Sequence, residues 1–364
     1  MARILIDARE SGTSTGRYID KLVEYLHKLK PEHQVVILTK SPREAYVRSI
    51  APSFEVVVSD VKEFTFAEQL KLRKQIKALQ PDLVHFGMVQ QPVLLSGKNV
   101  TTMQDLTATR FKNPSKNALI FFVKQQVYKW VNKRVAHKAN AILTPSEFVK
   151  NDIASFAHIS PEKITVTYEA ADQITDEPEP LPALENAKFI MYVGRPSPHK
   201  NLERLIEAFA VIKKENPSLK LALVGKKDAL YEALEHKAQE QNVPDVIFTD
   251  FVTEGQLRWL YEHAAAYVFP SLSEGFGLPG LEAMAHDCPL VSSNATCLPE
   301  IYKGAAVYFD PTDVNDMAGK IQTVITDEEI RQSLIQTGRE QVSQYSWQRM
   351  AEQTLAVYNQ VVSQ

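Results

Sequence analysis

Short apolar runs alternate with stretches of helical hydrophobic spacing along most of the chain. Residues 3–8 are typical of a buried strand, and beyond them apolar residues recur at helical intervals from Ile19 to Leu29. Strands on both sides of helices imply right-handed crossovers between parallel neighbours. Because the helices of such crossovers cover both faces of a sheet, the pattern predicts an open, doubly wound α/β architecture.

One segment interrupts this alternation. Residues 173–187 are rich in prolines and acids, a composition that is typical of a linker. We therefore expect an N-terminal domain over 1–172, a C-terminal domain over 188–345, and a final helix over 346–364 that packs back on the first domain. Both domains should be Rossmann-like and face each other across a cleft, with ligands outside the carboxyl ends of the strands. The predicted strands lie at 3–8, 35–38, 54–58, 82–86, 99–103, 140–144, 163–167, 188–193, 219–224, 246–250, 266–270 and 289–292.

Composition and charge exclude several classes of function. The chain has 364 residues and a net charge of −3, which argues against a nucleic-acid-binding protein. No apolar run approaches the ~20 residues of a membrane-spanning helix, and the first residues are typical of a strand rather than a signal peptide. The two cysteines do not make a disulfide framework and suit a reducing compartment. We therefore expect a cytoplasmic protein.

The most informative motif runs from Glu274 to Glu282 and reads Glu-Gly-Phe-Gly-Leu-Pro-Gly-Leu-Glu. It joins a predicted strand to a predicted helix. Gly275 and Gly277 allow the backbone to approach a ligand closely, and Pro279 suits the first turn of a helix. The amides of that turn form a site suited to a phosphate group. The alternative is an ordinary strand–loop–helix joint with two solvated glutamates.

A second motif, Gly-Arg-Pro-Ser-Pro-His-Lys-Asn over 194–201, follows the strand predicted at 188–193. Its cations, Arg195 and Lys200, should lie at the carboxyl end of that strand. Arginine offers a bidentate fork to phosphate oxygens and lysine a point charge. Such a pair could stabilise charge that develops on a leaving diphosphate. The alternative is two exposed cations.

A glycine loop follows the first predicted strand, with Gly12 and Gly16 before a helix. Its spacing is neither the dinucleotide-binding fingerprint nor a Walker loop, because the third glycine and the Lys-Ser/Thr pair are missing. The loop is either a ligand-binding turn at a helix N-terminus or a plain turn.

Together the three motifs resemble glycosyltransferase family 4, the retaining nucleotide-sugar transferases of GT-B fold. The likeness also includes residues 81–86, 144–148 and 164–172, so it covers essentially the whole chain. By this resemblance Arg195 and Lys200 would hold the donor diphosphate, Glu274 the transferred sugar and Glu282 the ribose hydroxyls. Further donor contacts are implied at Gly16, Gly275, Phe276, Gly277, Leu278 and Pro279. Family members generally need neither a metal nor a separate cofactor, so none is expected beside the nucleoside-diphosphate sugar.

Two positions depart from the family pattern. Many relatives have His-Asp where this chain has Gln104-Asp105, and Ser14 replaces the first glycine of the family's loop. Glutamine can hydrogen-bond a sugar hydroxyl but cannot carry a proton. Asp105 either orients an acceptor hydroxyl or caps the end of a strand.

Residues 116–138 mix aromatic side chains with six lysines and arginines. Such a segment suits a peripheral contact with an anionic membrane, at the inner face in a cytoplasmic protein. A domain helix with a solvated basic face is the alternative.

These observations lead us to expect a retaining hexosyltransferase, of mannose or glucose type, that acts in glycan, polysaccharide or glycolipid assembly. The acceptor would be a sugar, a glycan or a lipid-linked sugar. Two other functions stay open: a nucleotide-sugar epimerase of the same architecture, and a non-catalytic protein that binds nucleotide sugars.

Overall fold

The computed structural model describes residues 1–13, 16–111 and 118–364, with the side chains of 118–121 left out. The chain divides into two compact units. Unit 1 contains the described residues up to Thr109, those from 118 to Glu169, and Ser346–Gln364. Unit 2 contains Ala170–Tyr345 together with Arg110 and Phe111. The Lys116 end of the basic aromatic segment and Ser14 of the glycine loop lie outside the described residues.

Each unit is built on one parallel sheet. Among the described residues, the sheet of unit 1 has seven strands and that of unit 2 has six. The strands are β1 (Arg3–Asp7), β2 (Gln34–Thr39), β3 (Glu55–Val58), β4 (Leu83–Phe86), β5 (Lys98–Thr102), β6 (Ala141–Thr144), β7 (Ile164–Val166), β8 (Phe189–Val193), β9 (Lys220–Val224), β10 (Val246–Phe248), β11 (Ala266–Phe269), β12 (Leu290–Ser293) and β13 (Ala306–Phe309).

The helices lie between the strands and after them. They are α1 (Arg17–Leu29), α2 (Glu44–Ile50), α3 (Arg73–Ala78), α4 (Thr107–Arg110), α5 (Ala118–Lys138), α6 (Glu147–Ala157), α7 (Leu202–Ile212), α8 (Ala229–Glu240), α9 (Glu254–His263), α10 (Leu278–Ala285), α11 (Leu298–Tyr302), α12 (Val314–Thr326), α13 (Glu328–Val342) and α14 (Trp347–Ser363).

Both sheets have the Rossmann strand order. In unit 1 the order is β3-β2-β1-β4-β5-β6-β7, and in unit 2 it is β10-β9-β8-β11-β12-β13. All paired strands run parallel, for example β1 with β4 and β8 with β11. The direction of strand addition reverses between β1 and β4 and between β8 and β11, and ligands bind at such switch points. The predicted α/β architecture is therefore confirmed, and the chain adds one strand, β13, that the sequence did not predict.

Helix α1 shows how the apolar spacing produces this architecture. Its buried aliphatic side chains, Ile19, Leu22, Val23 and Leu26, lie on one face at helical intervals. The helix ends at Lys30, whose φ of 50° is left-handed. Helix α1 packs against helix α14, which returns to unit 1 after the chain has completed unit 2.

Residues 167–188 contain neither helix nor strand. The change from unit 1 to unit 2 falls between Glu169 and Ala170, so the acidic, proline-rich stretch from Ala170 onward belongs to unit 2. Within the described ranges, no helix has both the length and the apolar character needed to cross a bilayer.

Candidate functional site

An ion pair joins the loops that follow strands β8 and β11 of unit 2. Lys200 Nζ donates to Glu274 Oε1 at 2.6 Å, although the residues are 74 positions apart in sequence. The two strands are neighbours in the sheet, so their carboxyl-end loops meet at the switch point. The side chains of Lys200 and Glu274 are only 20% and 13% exposed, and neither is a freely solvated surface charge.

Asn201 holds the Lys200 loop in place. Its backbone is left-handed, with φ of 61°, and it begins helix α7 directly after a short 3-10 turn, Pro198–Lys200. The buried side-chain amide donates to the carbonyl oxygens of Pro270 at 3.1 Å and Pro311 at 2.7 Å. The sequence placed Asn201 within the motif but gave it no role. Its neighbours on other loops could not be read from the chain.

Arg195 has a different partner. Its Nε donates to Asp228 Oδ2 at 2.7 Å, and its side chain is 68% exposed. Asp228 is also the N-cap of helix α8, where it accepts from the amides of Leu230 and Tyr231. The structure therefore ties Arg195 to the start of α8, while Lys200 is tied to Glu274.

The turn before helix α10 depends on glycine. Gly277 has φ of +101°, a region that L-residues rarely adopt. The Tyr302 hydroxyl donates to the Gly277 carbonyl oxygen at 2.5 Å. A Cβ at Gly277 or Gly280 would collide with this hydroxyl. Pro279 lies in the first turn of α10, as its fixed φ allows.

Other residues of the motif support the same turn. Phe276 is buried and its ring meets that of Tyr345 edge-on, with 5.5 Å between centroids. The Glu274 amide donates to Thr296 Oγ1 at 3.1 Å. Gly275 precedes the turn, and the amide of Leu278 belongs to the first turn of α10. The first-turn amides and the helix dipole are suited to an anion.

Glu282 lies inside α10, eight residues after Glu274. The Tyr261 hydroxyl donates to Glu282 Oε2 at 3.3 Å. The rings of Tyr261 and His286 stack with 5.4 Å between centroids. A carboxylate held in this way can still accept from a ligand hydroxyl through its remaining lone pairs.

His199 contributes no positive charge to this region. Burial and the charge of Lys200 lower its pKa to about 4, although Glu274 acts in the opposite direction. The imidazole is therefore neutral at physiological pH. Lys200 remains the cation of the turn that it shares with His199.

Three predicted site residues lie in unit 1. Gly16 comes directly before α1, and a Cβ there would collide with the Glu10 carbonyl oxygen. Its amide donates to the Thr13 carbonyl oxygen at 3.0 Å, so the amide of this implied donor contact is already bonded within its own loop. Asp105 Oδ1 accepts from the Thr107 amide at 2.7 Å, which caps the turn at α4.

The third of these residues, Gln104, has a neighbour that the sequence did not single out. This neighbour is Glu169, and burial raises the pKa of its carboxyl group to about 7, while the polar side chain of Gln104 and the charge of Arg17 lower it. The available signal was an acid three residues after strand β7, and an acid at such a place is indistinguishable from an ordinary loop acid.

Two family models match the chain in succession. The model described as Glycosyltransferase Family 4 matches residues 15–173. The model described as Glycosyl transferases group 1 matches residues 173–341. The first match lies mainly in unit 1 and the second lies in unit 2.

Curated proteins that are similar to this chain include glycosyltransferases, as the family models do. The O-antigen chain mannosyltransferase B of Escherichia coli is 32% identical over 233 residues, which are 60% of this chain and 60% of that protein. The chain thus matches about 60% of the length of this curated relative, and the same share of a second one, the glycosyltransferase YqgM of Bacillus subtilis.

Solved structures share the whole architecture. Sucrose-phosphate synthase from Thermosynechococcus elongatus superposes with a TM-score of 0.78 at 20% identity and covers 100% of both chains. Anabaena HepE in complex with UDP and glucose gives a TM-score of 0.74 at 17% identity, covering 99% of this chain and 100% of its own. Such low identities show the fold alone. The two family models together match residues 15–341 and place the chain in glycosyltransferase family 4, and the solved structures show that its fold is GT-B.

Proposed function

We propose that this chain is a retaining glycosyltransferase that moves a hexose from a nucleoside-diphosphate sugar to an acceptor hydroxyl. The observation that carries the proposal is the ion pair of Lys200 with Glu274 at the switch point of unit 2. A hydrolase would need two carboxylates across a glycosidic bond. A partly buried lysine–carboxylate pair beside an anion-binding helix terminus suits a sugar diphosphate better.

The proposed step is a displacement on one face of the sugar. The acceptor oxygen bonds to the anomeric carbon as the bond from that carbon to the diphosphate oxygen breaks. The bonding electrons go to the diphosphate, which also takes up the acceptor's proton. Lys200 and Arg195 stabilise the negative charge that develops, and the first-turn amides of α10 contribute in the same way. No metal and no protein nucleophile takes part in this scheme.

The carboxylates would position the donor. Glu274 orients Lys200 through their hydrogen bond and has lone pairs left for a hydroxyl of the transferred sugar. Glu282 would accept from the ribose. The name of the Escherichia coli relative favours mannose, and the glucose in the HepE structure favours a glucose-type sugar. The acceptor would then belong to a glycan, a polysaccharide or a glycolipid.

The test is to incubate the protein with a panel of nucleoside-diphosphate sugars and follow release of the nucleoside diphosphate. Slow hydrolysis of one donor, and faster release with a sugar acceptor, is expected. Lys200→Ala and Glu274→Ala should each lower turnover at least a hundredfold, the scale of losing a charge-stabilising group. Lys237→Ala breaks another Lys–Glu pair of unit 2, with Glu203, and is the matched control.

Each rival function has its own result in this assay. Conversion of the sugar without an acceptor would indicate an epimerase. Binding without any turnover would indicate a non-catalytic protein. Retention is read separately, from the anomeric configuration of the product by NMR, and an inverted product would contradict the proposed displacement.

We further infer a peripheral contact with the cytoplasmic face of an anionic membrane, through helix α5. Val123, Val127 and Trp130 are exposed and follow one another at i, i+4 and i+7. Residues 118–138 contain no acid, although the whole chain has a net charge of −3. An exposed apolar stripe among cations suits the interface of an anionic bilayer.

The apolar surface extends beyond α5. Phe64 lies 6.5 Å from the ring of Tyr128, between centroids, and is itself largely exposed. Phe66 and Leu70 are exposed in the same segment. A contiguous patch of this kind is typical of a surface that contacts a partner or a membrane.

Tryptophan fluorescence can test this contact directly. Trp130 is 58% exposed, whereas Trp259 and Trp347 are buried, so a blue shift on adding vesicles reports on α5. Phosphatidylglycerol vesicles should produce the shift and phosphatidylcholine vesicles should not. Changing Lys124 and Arg134 to Glu should abolish it.

The same double change at Lys28 and Lys30, at the end of α1, is the control. If anionic vesicles leave the emission of the wild-type protein unchanged, α5 has a solvated basic face instead.

A further inference from the structure

The loop that follows strand β8 is held from both of the neighbouring strands. It contains the two cations Arg195 and Lys200. In the sheet of unit 2, β8 lies between β11 and β9. The loop after β11 supplies Glu274 as the partner of Lys200. The loop after β9 supplies Asp228 as the partner of Arg195. Each cation of the loop therefore has its own carboxylate.

Helix α8 also fixes the main chain beside Arg195. The Tyr231 hydroxyl donates to the Gly194 carbonyl oxygen at 2.9 Å. Tyr231 lies three residues after the N-cap Asp228, so the two side chains are neighbours at the start of the helix. The fit is close, because a Cβ at Gly225 would lie 2.8 Å from the Tyr231 hydroxyl. The first turn of α8 therefore holds both the backbone before Arg195 and the Arg195 side chain.

The two carboxylate oxygens of Asp228 have different partners. Oδ1 accepts from the amides of Leu230 at 2.9 Å and Tyr231 at 3.2 Å, which caps α8. Oδ2 accepts from Arg195 Nε at 2.7 Å. Burial opposes ionisation of this carboxyl group, but the Tyr231 amide and Arg195 outweigh it and lower the pKa of Asp228. Asp228 is therefore an anion at neutral pH, and the helix sets its orientation.

The contact with Asp228 leaves the phosphate-binding fork of Arg195 open. Arg195 bonds to Asp228 through Nε, the nitrogen nearest its aliphatic chain. Within the described residues neither Nη group of Arg195 has a hydrogen-bond partner, and the side chain is 68% exposed. The Nη groups carry the remaining N–H donors and can bind two phosphate oxygens at once.

We propose that Asp228 is a positioning residue that holds Arg195 with its Nη groups presented to the diphosphate of the donor. The inference rests on the proposed transferase function, in which Arg195 stabilises the charge of that diphosphate. An exposed ion pair contributes little to the stability of a fold, whereas ordering an exposed arginine on binding lowers the affinity. Asp228 therefore acts on ligand binding more than on folding.

The test is the affinity for a nucleoside diphosphate alone, measured by titration calorimetry with UDP, GDP and ADP. Asp228→Asn keeps a good N-cap. Its side-chain NH2 group then faces the Arg195 Nε–H, and two donors do not bond. The dissociation constant of the best-bound nucleotide should rise by about three- to tenfold, the effect of ordering one long side chain on binding. Asp327→Asn, at the N-cap of α13 in the same unit, is the matched control and should keep the wild-type affinity.

The sign of the change separates positioning from a simple charge effect. Asp228 is an anion near a site proposed for an anion. If it acted through its charge alone, its neutralisation would strengthen the binding of a diphosphate. Weaker binding is expected if it acts through Arg195. Unchanged or tighter binding by Asp228→Asn would overturn the proposal.

A double-substitution cycle tests whether Asp228 acts through Arg195. In an Arg195→Ala background, Asp228→Asn should cause no further loss of affinity, because the side chain that Asp228 positions is gone. Equal losses in the two backgrounds would contradict the positioning role. Thermal unfolding of each variant checks that the fold is retained.

Failure of the transferase function gives a different result from failure of this inference. Coupling between Asp228 and Arg195 in a protein that transfers no sugar would support the positioning role without the proposed function. Sugar transfer without such coupling would leave the function and overturn the positioning role. A protein that binds none of the three nucleotides would contradict both. In an active enzyme, Asp228→Asn should also lower kcat, because the leaving group is the same diphosphate.

Discussion

Single residues decide whether the turn before helix α10 can form, and Gly277 is the clearest case. Its φ of +101° and the hydroxyl of Tyr302 above it leave no room for a side chain. The same hydroxyl donates to the Gly277 carbonyl oxygen, so the turn and Tyr302 fit each other. A helix terminus suited to a phosphate therefore depends on the absence of one methyl group.

Gly277→Ala should destabilise the protein by about 2–3 kcal/mol, because the left-handed backbone and the displaced tyrosine each have a cost. Gly319→Ala is the control, since Gly319 lies inside α12 with open space at its Cβ position. There alanine should be neutral or stabilise by up to about 1 kcal/mol. Urea denaturation measures both values, and equal losses at the two sites would contradict this explanation.

Unit 1 contains a buried cluster of charged side chains. The Arg9 guanidinium bonds with Asp7 at 2.8 Å and with Glu68 at 2.9 Å, and all three residues are buried. Arg9→Met would leave two carboxylates without their cation, which costs about 3–5 kcal/mol.

The cost of Arg9→Met should depend on pH. Burial already raises the pKa of Glu68, and Arg9 lowers it. Without Arg9 the folded-state pKa rises further above the unfolded one, so stability is lost as the pH rises through the folded-state pKa. The variant should therefore be closer to wild type at pH 5 than at pH 8. Denaturation at both pH values checks this, and a pH-independent difference would exclude it.

Among the elements, α14 is attached to the sheet of unit 1 through a polar chain. His85, in β4, bonds through Nδ1 with the Tyr358 hydroxyl at 2.5 Å and through Nε2 with Thr102 Oγ1 at 2.8 Å. Burial lowers the pKa of His85 to about 3. Below about pH 6.5 the imidazole of the unfolded chain therefore binds a proton, whereas the buried imidazole of the folded chain stays neutral. The stability contributed by the neutral imidazole is lost as the pH falls from there toward 3.

Tyr358→Phe should cost about 1–3 kcal/mol, because it leaves a buried ring nitrogen of His85 without its partner. Tyr46→Phe, at an exposed tyrosine, should change the stability by less than about 0.5 kcal/mol. Thermal unfolding at pH 7 measures both. A wild-type Tm for Tyr358→Phe would mean that the hydrogen bond does not hold α14.

How far the sequence predicts these elements depends on burial. Parallel strands buried on both faces appear as continuous apolar runs, which is why β1 and β8 were found. Strand β13 lies at the sheet edge with three partly exposed residues of four, so its pattern is weak. The motif containing Lys200 and Glu274 was readable, but their contact was not, because it joins loops 74 residues apart. That Glu169 is a neighbour of Gln104 was missed for the same reason.

At the scale of the whole molecule, unit 1 needs both ends of this sequence. Ser346–Gln364 belong to unit 1, and α14 buries Met350, Ala351 and Val361 there. Removing residues 346–364 exposes this apolar surface of unit 1. We expect the truncated chain to lose stability in unit 1 while unit 2 keeps its own.

Two probes distinguish the units in the truncated chain. Trp347 is removed and Trp130 is already exposed, so the emission shift on unfolding comes from Trp259, buried in unit 2. Circular dichroism follows both units. The two transitions should separate, with the circular dichroism signal falling first in urea. Coincident transitions at the wild-type midpoint would show that α14 adds little to unit 1.

The return of α14 to unit 1 also has a consequence for the newly made protein. Unit 2 is nearly continuous, over Ala170–Tyr345, and can fold as soon as that stretch has left the ribosome. The sheet of unit 1 is synthesised earlier, yet its covering helix is synthesised after all of unit 2. During that interval the apolar surface that α14 covers in unit 1 stays exposed. The nascent N-terminal half is therefore the part of this protein that should depend on chaperones.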